Sequence, residues 1–241
     1  MEPTSYIRIG SAVARPTREG APQIRLLVHL ALAVTILPLW TCVTIAEQPP
    51  RTVSFQVSRS DFAAAQALTN KIAALSPTVR PREASELAQC VYSTASRLRQ
   101  EYGVVGRPSF VNSLFNNFLV NSGLRKRGLC FQWAEDMLNS LDALKLTSIE
   151  FHWGEARAGT MRENNCIVVT AKGAPFSSGI VLDCWRHSGR VYWSPVTADH
   201  FFPWIENNTY ARYVRARSAA AANHRVAFQR NVMPKRKTDD R

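Results

Sequence analysis

A cysteine lies at the start of a predicted helix, in the segment Gly128-Leu129-Cys130-Phe131-Gln132-Trp133-Ala134. There the helix dipole and the free backbone N–H groups favour a thiolate, which lowers the pKa of the sulfur. Arg125, Lys126 and Arg127 favour the same charge state. Because a thiolate attacks carbonyl carbon, Cys130 is a candidate nucleophile. A small buried cysteine explains the local pattern equally well.

A catalytic thiol also needs a base that accepts its proton and returns it to the leaving group. His152 lies on a predicted strand after this helix, and Asp183 ends a later strand. Acting as the base requires His152 to lie within hydrogen-bond distance of Cys130. Beside Trp153, His152 is also typical of the edge of a core, His187 is typical of a turn, and Asp183 alone is typical of a turn or cap.

Four predicted helices precede these strands, because apolar residues recur there at helical spacing. They begin near Ser60, Pro81, Pro108 and Cys130. In the third helix the rows Phe110/Leu114/Phe118 and Val111/Phe115/Leu119 predict a wide buried face. Strands are predicted at residues 148–153, 166–170, 179–183 and 191–193, separated by glycine and proline turns. Helices followed by an antiparallel sheet indicate the α+β class.

The order of these features resembles that of transglutaminase-like proteins, which share the fold of papain-like cysteine enzymes. The resemblance covers residues 127–196 and is to a bacterial exported branch of that superfamily. The residues that carry it are Gly128-Leu129-Cys130-Phe131-Gln132-Trp133-Ala134, Phe151-His152-Trp153-Gly154, Arg162-Glu163-Asn164-Asn165, Val168-Val169-Thr170-Ala171 and Val181-Leu182-Asp183-Cys184-Trp185-Arg186-His187-Ser188-Gly189.

The resemblance implies that Cys130 is the nucleophile and that Asp183 orients the imidazole of a catalytic histidine. That histidine is expected just before the strand of Val168, where this chain has Asn164 followed by a second asparagine. A neutral amide cannot accept the thiol proton. His152, on the preceding strand, is the possible substitute base.

The first 46 residues have the pattern of a targeting segment. Four arginines precede residues 26–46, an apolar run without Lys, Arg, Asp or Glu. A basic flank before such a run is typical of a secretory signal, and its length of about 20 residues also reaches the range of a membrane span. We therefore expect a signal peptide or membrane anchor over 1–46, a transglutaminase-like domain over 47–209, and a location that is periplasmic, secreted or anchored to the membrane.

The positive charge of the chain lies mostly in its last 32 residues. Of the formal net charge of +12, residues 210–241 carry +7, residues 1–46 carry +2, and residues 47–209 carry the remaining +3. A nucleic-acid-binding face on the central domain is therefore not supported. Residues 210–241 are expected to be a flexible basic tail, although such a tail could contact anionic lipid, wall polymer or nucleic acid.

Cysteine usage and motif spacing limit the remaining chemistry. Cys166 and Cys184 lie on or next to neighbouring predicted strands, where they could pair in an oxidising compartment or stay as buried thiols. There is no C-x-x-C zinc spacing and no glycine-rich phosphate loop, and nothing indicates a metal or organic cofactor.

Three functions fit the sequence. A catalytically impaired domain that binds a peptide or cell-envelope polymer is favoured, because Asn164 stands where the base is expected. An active cysteine-dependent peptidase, amidase or acyl transferase acting on amide bonds is the first alternative, which the segment around Cys130 supports. A structural envelope protein is the second.

Overall fold

The computed structural model describes residues 55–232, with side chains as far as residue 225. Four α-helices come first: α1 (Phe62–Ala73), α2 (Pro81–Glu101), α3 (Phe110–Asn121) and α4 (Cys130–Asp142). The strands follow: β1 (Ile149–Ala156), β2 (Asn164–Ala171), β3 (Ile180–His187), β4 (Arg190–Pro195) and the short β5 (Ile205–Glu206). Helix α5 (Asn208–Val232) comes last. The predicted α+β class is confirmed.

The five strands form one antiparallel sheet in the order β4-β3-β2-β1-β5. Every residue of β2 is buried, which is expected of a central strand covered on both faces. Helix α4 packs against β1, β2 and β3, and it buries Trp133, Met137, Leu138 and Leu141. This helix therefore lies directly over the strand that carries the two asparagines.

Hydrogen bonds to the Glu83 side chain connect the first turn of α2 to the residues just before β1. The Glu83 carboxylate accepts hydrogen bonds from the backbone N–H and the hydroxyl of both Thr147 and Ser148, at 2.7–3.0 Å. Burial opposes ionisation, but these four donors outweigh it and lower the pKa of Glu83 to about 2. The ionised carboxylate thus joins two segments that are more than 60 residues apart in the chain.

Helix α3 faces the opposite way from the sequence prediction. Val111, Leu114, Phe115 and Phe118 are 46–75% exposed, so the predicted wide buried face is wrong. The fully buried residues of α3, Ser113 and Asn116, are polar. Ser113 donates to the backbone oxygen of Trp185 at 2.5 Å and lies 2.8 Å from the Ser188 hydroxyl, while the indole N–H of Trp185 donates to Asn117 at 2.9 Å. These bonds to the β3–β4 hairpin decide which face is buried.

Helix α5 corrects the predicted boundary of the tail at residue 210. Ala211 and Val214 are buried, and the Arg215 guanidinium pairs with Asp142 of α4 at 2.8 Å. The first turns of α5 therefore belong to the folded domain, because they bury apolar side chains against β1 and α4. Residues 233–241 lie outside the described residues.

Residues 26–46, the predicted signal or anchor, also lie outside the described residues. Within 55–232, no helix has the length and apolar character needed to cross a bilayer. Export and anchoring therefore stay predictions.

Candidate functional site

Cys130 is the first residue of α4, as the sequence predicted. Its side chain is buried beneath the β1–β2 connection, and only 7% of the residue is exposed. The thiol donates to the backbone oxygen of Glu163 at 3.6 Å, and the Asn165 amide donates to the sulfur at 3.5 Å. The polar partners of the sulfur are thus a carbonyl oxygen and an amide.

The pKa of the Cys130 thiol is shifted in the opposite direction to the one expected at the start of a helix, which agrees with the buried-cysteine interpretation. Burial raises the pKa of Cys130 to about 11, more than the Asn165 amide and the Phe131 backbone N–H lower it. Two of the three nearby cations have other partners, and the third, Lys126, is exposed to solvent. Arg125 binds the Asn116 side chain, and Arg127 pairs with Asp136 at 2.9 Å. The thiol is therefore the resting form at neutral pH.

The two asparagines at the start of β2 point to different partners, as successive residues of a strand do. Asn165 points to α4 and contacts the Cys130 sulfur. The Asn164 amide instead donates to the Asp183 carboxylate at 2.7 Å. The position that faces the thiol is therefore Asn165, whereas the resemblance assigned the missing histidine to Asn164.

His152 does not approach Cys130. His152 pairs with Val168 in the β1–β2 register, so its side chain lies on the same face of the sheet as Val168 and Thr170. Asn165, an odd number of residues away along β2, points to the opposite face, where Cys130 lies. The Nδ1 of His152 lies 2.6 Å from a Glu206 carboxylate oxygen, and its Nε2 lies 2.9 Å from the Thr170 hydroxyl. Both ring nitrogens are thus occupied, and His152 is not placed to act as a substitute base.

Asp183 belongs to a buried ionic cluster. Its carboxylate accepts from the Arg186 guanidinium at 3.1 Å, and the same guanidinium binds Asp199 at 2.5 Å. The Arg186 guanidinium also stacks 3.8 Å from the centre of the Tyr192 ring. Burial raises the pKa of Asp183 against the opposing effect of Arg186, whereas hydrogen bonds from Arg186 and Trp204 keep the pKa of Asp199 low despite burial. Asp183 thus combines a structural charge pair with Arg186 and a hydrogen bond from Asn164, the residue at the position where the resemblance expects the histidine that Asp183 would orient.

The four cysteines of the described region, Cys90, Cys130, Cys166 and Cys184, are all free and buried. The disulfide considered for Cys166 and Cys184 is therefore not formed in this structure. Burial raises the pKa of both thiols. Cys166 instead packs against Gly154 of the neighbouring strand, where an added Cβ would lie 2.7 Å from the sulfur.

An aromatic cavity of about 500 Å³ opens next to the thiol, between α3, the β1–β2 connection and the segment before β5. Its aromatic walls are Phe110, Trp185, Phe201 and Phe202. Glu163, whose backbone oxygen accepts the Cys130 thiol, also lines it. The cavity is thus separated from the thiol by one residue.

Two arginines stand in the wall of this cavity. Arg157 donates to the Phe201 backbone oxygen at 3.0 Å and packs over the Phe202 ring at 5.3 Å. Arg162 is exposed, and its guanidinium makes no hydrogen bond or ion pair within the described residues.

Sequence reasoning missed the cavity, since its walls come from four separate segments. The visible signals were Trp185, one of several tryptophans that fit either a core or a groove wall, and the adjacent Phe201 and Phe202 in a segment without periodicity.

A second hollow of about 910 Å³ lies between α4, the exposed edge of β1 and α5. Its lining includes Asp142, Lys145, His152 and Arg215. Asp142 and Arg215 pair with each other, and His152 is bound to Glu206. Although this hollow is larger, most of its charged groups already have partners, so the aromatic cavity is the better candidate site.

Comparison with known proteins found no matching family model, no matching characterised protein and no matching solved structure. Within the described part of the chain, no group of three or more His, Cys, Asp or Glu side chains is arranged to hold a metal ion.

Proposed function

We propose that this chain is an exported, transglutaminase-like domain that binds a peptide-bearing polymer of the cell envelope without cleaving it. The observation that carries the proposal is the environment of Cys130. A thiol with a pKa of about 11 stands beside an amide, and neither ring nitrogen of His152 is directed to it. Without a base, thiol catalysis loses the proton transfer that typically contributes about 100-fold or more.

The ligand site in this proposal is the aromatic cavity. Aromatic walls provide flat apolar area for side chains or sugar rings, and one wall is an exposed arginine. A guanidinium binds carboxylates in a planar, two-bonded geometry. Peptides attached to envelope polymers carry free carboxylates, so Arg162 is assigned to the charged part of the ligand and Phe201 to the apolar part.

Binding is tested with muropeptides released from cell wall by a muramidase, titrated into the purified full chain in a calorimeter. Arg162→Ala is expected to weaken binding by about tenfold, the typical loss when one charge-assisted hydrogen bond to a ligand is removed. Lys172→Ala is the matched control. Lys172 is an exposed cation in the β2–β3 turn outside the cavity lining, and its removal should change affinity less than twofold.

Phe201→Ala removes one of the four aromatic side chains that line the cavity. Because Phe201 is 53% exposed, the fold should tolerate the change. Like Arg162→Ala, this single variant should weaken muropeptide binding. If wild type binds no muropeptide, or if the cavity variants and Lys172→Ala bind equally well, the cavity is not an envelope-binding site.

A further inference from the structure

Helix α3 exposes an apolar stripe, which we define as Val111, Leu114, Phe115 and Phe118. These residues recur at the i, i+3, i+4, i+7 spacing of a single helix face, and they are 75%, 46%, 53% and 61% exposed. The opposite face is held by the polar contacts of Ser113 and Asn117 with the β3–β4 hairpin. The stripe is therefore fixed outward, and a contiguous exposed apolar face of this kind marks an interaction surface.

The charges of the segment that carries the stripe are all of one sign, whereas Glu163, which lines the aromatic cavity together with Leu114, is acidic. Residues 102–134 contain three arginines and one lysine and no Asp or Glu. Arg107 precedes α3 and Lys126 follows it, and both are exposed. Cations therefore stand at both ends of an apolar helix face that lacks acidic residues.

We propose that α3 is an interfacial membrane helix, which lies along an anionic lipid surface with its stripe at the boundary between headgroups and acyl chains. Apolar and phenylalanine side chains on one face with cations beside them are the composition of helices that lie in this plane. Anionic headgroups complement Arg107 and Lys126, each of which strengthens binding to a negatively charged leaflet. This surface adjoins the aromatic cavity, because Leu114 belongs to both, but lipid binding by α3 does not require that a polymer binds in the cavity.

The surface extends across the mouth of the aromatic cavity. Leu114 lines that cavity together with Met161, which is fully exposed on the β1–β2 connection beside Arg162. Docking through α3 thus places Met161 and Arg162 near the lipid headgroups. The cavity then opens toward the bilayer surface.

The test places the photo-cross-linker p-benzoylphenylalanine at one position of the full chain, in place of Phe115 or Phe118. Tyr213 is the matched control, because it is an aromatic residue that is 55% exposed on α5, a helix that contacts β1 rather than β3. Each variant is irradiated with vesicles of phosphatidylcholine containing about a third phosphatidylglycerol. Association through residues 1–46 would raise the yield at every exposed position, so the comparison with position 213 isolates the contribution of the stripe.

Lipid adducts, detected by mass spectrometry, are expected at positions 115 and 118 at least tenfold above position 213. With Arg107→Glu and Lys126→Glu together, the yield should fall by about fivefold or more. The paired control Lys172→Glu with Arg212→Glu, which reverses the same number of exposed cations elsewhere, should leave it within twofold. Adducts joining two copies of the chain would assign the stripe to a self-interface and overturn the proposal. Equal yields at positions 115 and 213, or no lipid adduct, would also overturn it.

Discussion

The reactivity of Cys130 toward a disulfide reagent follows from its surroundings. Raising the pKa of the thiol from 9.0 to about 11 reduces the thiolate fraction near neutral pH by about 100-fold. A more basic thiolate is more nucleophilic, and a Brønsted coefficient of about 0.4–0.5 recovers about eightfold. Ionisation alone therefore slows the native thiol by about tenfold relative to the unfolded chain, and its burial slows it further.

The assay follows reaction with dithionitrobenzoate, with peptide mapping to assign each modified thiol, because the chain has five cysteines. The same chain in guanidinium chloride is the control. There Cys130 should react at the rate of an ordinary cysteine. In the native protein its rate should keep rising with pH toward 11, whereas the unfolded control should level off near 9.

A native Cys130 that reacts as fast as it does in the unfolded chain would refute this reasoning. Such a result would mean that the helix dipole and the neighbouring cations outweigh burial. The thiol would then be activated, and the case for an enzyme would be restored.

Three further variants test the surrounding structure. Glu83→Gln should destabilise the domain by about 1–2 kcal/mol at neutral pH, as measured by urea unfolding. The folded-state pKa of Glu83 is lowered to about 2, so wild type should lose this stability as pH falls from about 4.5 to 2. The stability of the variant should not change over that range. Arg186→Met leaves two carboxylates buried without their partner and should cost about 3–5 kcal/mol; a loss below about 1 kcal/mol would contradict the cluster. Asn165→His should accelerate the reaction of Cys130 with dithionitrobenzoate by roughly tenfold or more, whereas Asn164→His should not, and equal acceleration would mean that the two side chains are wrongly assigned.

Local patterns predicted α1 to α4 and β1 to β4, whereas β5 and α5 were not predicted. Helical spacing of apolar residues placed α1, α2 and α4, alternation placed β1, and a β-branched run placed β2. Short apolar runs between turn residues placed β3 and β4. The start of α4 at Cys130 was predicted because the break before it, at Gly128, is local in sequence. Such signals depend on neighbours within a few residues, so one sequence suffices to locate them.

The arrangement of the site was less predictable, because it depends on contacts between distant segments. The orientation of α3 depends on Ser113 and Asn117 meeting Trp185, about 70 residues away. The assignment of Asn164 or Asn165 to the thiol depends on strand parity, and a shift of one residue exchanges the two faces. Burial also reversed the predicted pKa of Cys130, since desolvation depends on how α4 packs against β2.

In the function that we propose, the domain binds an envelope polymer and Cys130 performs no chemistry on it. The most direct measurement incubates wild type and Cys130→Ala with the same muropeptides, recording affinity by calorimetry and any new product by mass spectrometry. We predict equal affinities within about twofold, because the thiol lies behind Glu163 rather than in the lining of the cavity, and no product from either protein. Cleavage or acyl transfer by wild type that disappears in Cys130→Ala would contradict the account.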